Sequence, residues 1–180
     1  MPLTKLDTTA ALIVIDLQKG IVGIPTVHPT TEIVARSAQL ARAFRERGLP
    51  VVLVNVTSTA PGRTDAGPLN LSSFPADWTE LVPELKQHPD DNIVTKHRLG
   101  AFLGADCQRG ATQVVLTGVA TSSGVESTAR SAYDLGYNVT LVVDAMTDRD
   151  AHAHRHSVVK IFSRPGETDT TDNVLKLLRG

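Results

Sequence analysis

The chain alternates short, continuously apolar runs with longer amphipathic segments, and this alternation limits its fold more than any other feature. "ALIVID" (11–16), "PVVLVNV" (50–56), "NIVTK" (92–96), "TQVVLTG" (112–118) and "NVTLVVDA" (138–145) are β-branched runs without polar alternation. That is the pattern of strands covered on both faces. Between them, residues 31–48 place Ile33, Leu40, Ala41 and Phe44 on one helical face, and Gly48 supplies a stop signal. Shorter helices are expected over 99–110 and 124–136, each closing on a glycine, and another over 151–161. A short strand around "GETDT" and a helix over "TDNVLKLLR" complete the series. Strands separated by helices require right-handed crossovers, so the expected fold is α/β: a three-layer α-β-α sandwich around a parallel sheet. A length of 180 residues fits one domain spanning 1–180.

In open sheets of this kind ligands bind at the carboxyl ends of the strands, near the point where strand order reverses. Asp16 ends the most apolar run, with Gln18 close behind it, and Lys96 ends "NIVTK". A lysine near Asp16 would favour the ionised carboxylate and restrain its proton. The third strand end is "TGVATSSGVES", a turn of small residues running into a helix. Ser123 and Glu126 have capping-box spacing, which explains both side chains without catalysis. The amides around Gly124 would nevertheless face outward at a helix start, a donor site for an oxyanion or carboxylate. Two long connections, 17–30 and 57–75, follow strand ends and are expected to roof the same site.

Charge and cysteine content narrow the function classes. A net charge of −1 gives no footprint for nucleic acid or for a polybasic membrane surface. The longest apolar run, "AALIVI", is far too short to span a bilayer, and "MPLTKLDTT" has no leader pattern, so a cytoplasmic location is expected. Cys107 is the single cysteine, which rules out an intrachain disulfide or a multi-thiolate metal site. It falls within the expected helix over 99–110, where a lone thiol behaves as a small hydrophobe. His152 and His156 are spaced i, i+4 but lack an evident third metal ligand, and we read them as surface residues. Arg63 and Arg98 suit an anionic substrate, or serve as solvated surface charges.

"ALIVIDLQKG", "TKHRLGAF" and "VVLTGVATSSGVESTARSAYDLGYNVTLVVDA", in this order and extending to "GETDTT", are similar to the blocks that mark the isochorismatase-like hydrolase superfamily. That superfamily includes nicotinamidases, N-carbamoylsarcosine amidohydrolase, related amidases and isochorismatases. The resemblance implies a Rossmann-like parallel sheet of about six strands without a dinucleotide fingerprint. It places the acid/base aspartate on Asp16 and the lysine on Lys96. It also implies a non-proline cis peptide between Val119 and Ala120, and an oxyanion or substrate site at Ala120, Gly124 and Gln18. Gly124 occupies the position where amidases of the superfamily carry a nucleophilic cysteine, and a hydrogen cannot form their thioester. The loop that binds metal in nicotinamidases corresponds to 57–75, which has Asp65 but no histidine, so no metal or other cofactor is expected.

The resemblance to isochorismatases, which keep Asp and Lys without the cysteine, implies non-covalent acid-catalysed hydrolysis of a small vinyl ether. One alternative is an amidase using an unrecognised nucleophile, with Ser122, Ser123 and Cys107 as candidates, or an activated water. Another is a silent member that binds a small metabolite. Related proteins are commonly dimers or larger, so the expected partners are a small-molecule substrate and further copies of the chain.

Overall fold

The computed structural model describes residues 3–58, 62–65, 67, 73–101 and 110–179. Its six strands are β1 (Ala10–Ile15), β2 (Val51–Val56), β3 (Asn92–Lys96), β4 (Gln113–Val119), β5 (Asn138–Thr147) and β6 (Glu167–Asp169). All pair in parallel, in the order β3-β2-β1-β4-β5-β6. The strands fall where the apolar runs predict them, but β3 lies at the sheet edge with Ile93 and Thr95 exposed, so it is not covered on both faces as its run suggested. Strand order reverses between β1 and β4, so the crevice for a ligand opens beyond Ile15 and Val119.

Every residue of β1 is fully buried, because the strand is central and both of its faces are covered. The strand period of two divides it. Ala10, Leu12 and Val14 join Phe44, Leu40 and Leu178 in one core layer. Ile13 and Ile15 join Ala129, Ala132 and Phe162 in the other. The first layer lies under α2 (Thr30–Glu46) and α5 (Thr171–Arg179), and the second under α3 (Glu126–Asp134). The short helices α1 (Lys19–Val22) and α4 (Ala151–His156) lie near the ends of β1 and β5. Each full burial of a Leu, Ile or Phe contributes roughly 1.5–3 kcal/mol, so the two layers fix the sheet firmly.

The glycine stop signals work as expected. After α2, Gly48 has φ 65, its N–H donates to Arg45 O at 2.9 Å, and the Leu49 N–H donates to Phe44 O at 2.9 Å. This paired arrangement closes a helix through a left-handed residue. Gly136 ends α3 in the same way, with φ 87 and bonds from Gly136 N–H to Tyr133 O and from Tyr137 N–H to Ala132 O. The expected helix over 99–110 lies largely outside the described residues, Cys107 included.

The connection 17–30 is less irregular than its composition suggests. Gln18 bridges antiparallel to Leu81, and α1 lies against the segment around Trp78. A Cβ on Gly20 would stand 1.9 Å from the Trp78 ring, so only glycine allows that approach. Of the connection 57–75, only Thr57, Ser58, 62–65, 67 and 73–75 are described.

Candidate active site

Asp16 follows the last residue of β1 and adopts φ 54, a left-handed conformation that, glycine apart, aspartate and asparagine adopt more readily than most residues. Its N–H still bonds to Val54 O at 2.9 Å, so the strand holds the backbone while the side chain turns into the crevice. Lys96 ends β3, two strands away. Adjacent strands are spaced about 4.8 Å apart, so the pair must cover about 10 Å of sheet edge, within reach of a lysine side chain. Lys96 Nζ lies 2.7 Å from Asp16 Oδ2, and each side chain is only 6% exposed. Nζ also donates to Arg98 O at 3.2 Å.

Burial pushes the Asp16 carboxyl up to about 6, and the neighbouring Lys96 ammonium only partly opposes that rise. Asp16 Oδ1 is buried and has no hydrogen-bond partner; among the described residues no other buried side-chain nitrogen or oxygen is left so. An unpaired buried oxygen costs roughly 1–3 kcal/mol, which is tolerable where a ligand completes the site.

The second wall comes from β4. Gly118 has φ 120, and a Cβ there would stand 2.0 Å from Ile15 O, so β4 passes flush against the end of β1. The Val119–Ala120 peptide is cis, as the resemblance implies. The chain then enters a π-helical turn, Thr121–Val125, which leads into α3. Ala120 O accepts from the amides of Ser123 and Val125 at 3.1 and 3.2 Å. Gly124 is buried within this turn. A Cβ built on it would lie 3.2 Å from Ile15 Cγ2 and 3.4 Å from Asp16 Oδ2. A side chain at position 124 would therefore point at the Asp16 carboxyl, and in this chain that space holds only a hydrogen.

Two expectations change. Ser123 and Glu126 form no capping box, because the helical path starts earlier, at Thr121, and leaves Ser123 inside the turn. Glu126 instead accepts from Arg130 at 2.9 Å and from Ser157 Oγ at 2.6 Å. Gln18, grouped with the substrate-binding residues by resemblance, is fully buried. Its Nε2 donates to Val56 O and Trp78 O, each at 3.1 Å, and its Oε1 accepts from the Val56 N–H at 2.8 Å. Its amide is occupied in joining the ends of β1 and β2 to the Trp78 segment.

Among the described residues, none of the remaining candidates places a side chain in hydrogen-bond contact with the pair. Ser122 Oγ donates to Asp148 Oδ2 at 2.8 Å, away from Asp16. His152 and His156 are exposed on α4, and Arg63, Asp65 and Arg98 are exposed as well. No group of three or more metal-ligating side chains occurs among the described residues.

Sequence reasoning did not single out Asp148, His28 or His154, which gather around the turn that starts at Thr121. Asp148 follows β5 as Asp16 follows β1, so the same strand-end rule would have found it. Thr121 Oγ1 and His154 Nδ1 are 2.9 Å apart, and the His154 ring meets His28 edge to face, with centroids 5.0 Å apart. Burial, aided by His28, holds the His154 imidazole below its ordinary value.

The profile of the isochorismatase domain matches residues 10–173. The chain belongs to the isochorismatase family. It is 36% identical to the uncharacterised isochorismatase family protein YwoC of Bacillus subtilis, over 94% of each chain. It is 33% identical to the phenazine biosynthesis protein PhzD1 of Pseudomonas aeruginosa, over 93% of this chain and 85% of the other. Its fold superposes on an isochorismatase family protein from Burkholderia thailandensis with a TM-score of 0.90, at 40% identity and over 98% of each chain. Like that protein, the chain has the α/β architecture of the family. None of the described helices is long and apolar enough to cross a membrane.

Proposed function

We propose that this isochorismatase-family protein hydrolyses a small vinyl ether by acid catalysis, with Asp16 as general acid and without a covalent intermediate. The supporting observation is the buried, unpartnered Asp16 Oδ1 beside a glycine whose Cβ would otherwise stand 3.4 Å from the same carboxyl. Asp16 delivers a proton to the terminal methylene carbon, and the vinyl π electrons form the new C–H bond. The ether oxygen shares the positive charge that results. Water adds to the cationic carbon, and the hemiketal collapses to a ketone and an alcohol. The proton released by water restores Asp16.

A carboxyl pushed up to about 6 is a competent proton donor near neutral pH. Lys96 orients Oδ2 and leaves Oδ1 toward the substrate. The amides of Ala120 and Gly124 hold a substrate oxygen as charge develops. Gln18 holds the rim in shape instead of touching the substrate. The amidase alternative needs a nucleophile next to Asp16, and among the described residues no hydroxyl or thiol bonds to that carboxyl; Ser122 faces Asp148. We further propose that residues 1–180 act as one domain, as a homo-oligomer, in the cytoplasm and without a metal.

The test is a screen of small vinyl ethers, isochorismate among them, and small amides against the wild type and Asp16→Asn. The expected result is ketone release from a vinyl ether by the wild type, loss of that turnover in Asp16→Asn, and no covalent adduct by intact-protein mass spectrometry. Undiminished turnover by Asp16→Asn, or a trapped acyl-enzyme, overturns the proposal.

A further inference from the structure

The turn that carries Gly124 has no side-chain cap of its own, yet the first amides of any helical turn need acceptors. One acceptor comes from another strand. Asp148 Oδ2 accepts from the Ser122 N–H at 2.7 Å and from Ser122 Oγ at 2.8 Å. Val119 pairs with Thr147 across β4 and β5, so Asp148 follows directly opposite Ala120 and reaches the turn from the neighbouring strand end.

Asp148 is 5% exposed, and its other oxygen accepts from the Arg149 and Asp150 amides at 2.8 and 3.3 Å. Four donors converge on this carboxylate. Its carbonyl accepts from the Val27 N–H at 2.8 Å, and the adjacent Thr147 Oγ1 exchanges bonds with the backbone of His28 at 2.9 and 3.2 Å. Asp148 therefore ties together the segments that follow β1, β4 and β5.

Building on the hydrolytic chemistry proposed above, we propose that Asp148 is a positioning residue: its carboxylate sets the Gly124 turn against Asp16. Its side chain bonds to neither Asp16 nor Lys96, so it acts through the placement of Gly124. π-Helical turns occur frequently at functional sites, and this one depends on an acceptor supplied from outside. The requirement is for a carboxylate. Asparagine has the same shape, but its NH₂ would face donors on one side or the other.

Two kinds of readout test this. The first is amide hydrogen exchange, which needs no substrate. In Asp148→Asn the protection of the Ser122 amide is expected to fall about tenfold, while Val27, bonded to the unchanged Asp148 carbonyl, and Leu12 and Val115 in the sheet keep theirs. The second is turnover of isochorismate. In Asp148→Asn kcat is expected to fall about a hundredfold, the scale of a misplaced reacting group. KM should stay within about threefold, a loss made at the transition state and not in binding, and the Asp16 limb of the pH profile should keep its position. Ser122→Ala removes only the hydroxyl bond, and a drop in kcat of about fivefold is expected; this variant carries the test if Asp148→Asn does not fold.

Asp150→Ala is the control. Asp150 caps α4 through the amides of His152 and Ala153, so its loss should lower stability and leave kcat unchanged. Wild-type kcat in Asp148→Asn, unchanged protection at Ser122, or kcat losses that follow stability equally in both aspartate variants overturns the inference. If the wild type does not turn over isochorismate, the proposed chemistry fails for that ether, and the exchange pattern alone decides whether Asp148 holds the turn.

Discussion

Two aspartates bracket β1, and the fold treats them in opposite ways. Asp7, before the strand, accepts from Asn138 Nδ2 at 3.0 Å and Thr112 Oγ1 at 2.9 Å. Its N–H donates to Gln113 Oε1 at 2.6 Å, and Gln113 Nε2 in turn donates to Lys5 O and Thr140 Oγ1. The Asn138 and Thr112 bonds hold the Asp7 carboxyl below its ordinary value. Asp16, after the strand, is buried with a single cationic partner, and its carboxyl rises to about 6. The same residue type is thus stabilised as a charge at one end of β1 and holds its proton more tightly at the other. Donor count and burial make the difference. Volume is a poor guide here, because a cavity of about 460 Å³ lies at the amino edge, lined by Asp7 and Gln113 themselves, where those groups are already satisfied.

The largest effect that would break this comparison is on turnover. Asp16→Asn is expected to lower kcat for the vinyl ether by about 10³-fold, within the usual range for a general acid. Asp7→Asn should leave kcat within about twofold, measured on samples matched by circular dichroism. If both variants lost activity equally, the two edges would not differ in role.

Next in size are backbone contacts. Gly118→Ala would place a Cβ 2.0 Å from Ile15 O at a positive φ and should cost about 3 kcal/mol or more in chemical denaturation. Gly136→Ala has nothing within 4 Å and pays only the left-handed penalty, about 1–2 kcal/mol.

The pH dependences should have opposite signs. Asp16 binds its proton more tightly in the folded chain, so its contribution is fully present below 3.8 and is lost as pH rises through about 6. The stability difference between wild type and Asp16→Asn should therefore shift against the wild type by about 3 kcal/mol across that window. Above that window, as pH rises past about 6, kcat/KM should fall, because the proposed active form is the acid; a rate that climbed with pH would indicate a base. For Asp7 the contribution is present above 3.8 and lost as pH falls, and at this accessible position it should amount to less than about 1 kcal/mol.

The smallest effects concern thiols. Cys107→Ser and treatment with iodoacetamide should leave activity within about twofold, since the proposed chemistry uses no thiolate. Gly124→Cys should fold with a cost of about 1 kcal/mol, since its closest contact is with the Ile15 side chain. It should also gain a thiol-sensitive hydrolysis of small amides, checked by alkylation.

The sequence alone marked the strands, because a central parallel strand must be apolar on both faces and so reads as an uninterrupted run. It also marked the glycines that stop α2 and α3, since a left-handed closing residue favours glycine. Asp16, Lys96 and Gly124 were legible as strand-end residues, and the family blocks linked them. Sequence spacing could not show that Lys96 crosses an intervening strand to reach Asp16, nor that Oδ1 is left without a partner. Both depend on which strands are neighbours and on how much water is excluded. The capping box failed for a related reason: local spacing predicted a self-contained helix start, whereas the turn begins earlier and takes its cap from Asp148, a residue brought close only by the pairing of β4 with β5. Local propensity and pattern fix elements, because they act through neighbours in the chain. Burial and hydrogen-bond partners drawn from distant segments decided which carboxyl holds its proton less tightly, which holds it more tightly, and which accepts from the turn.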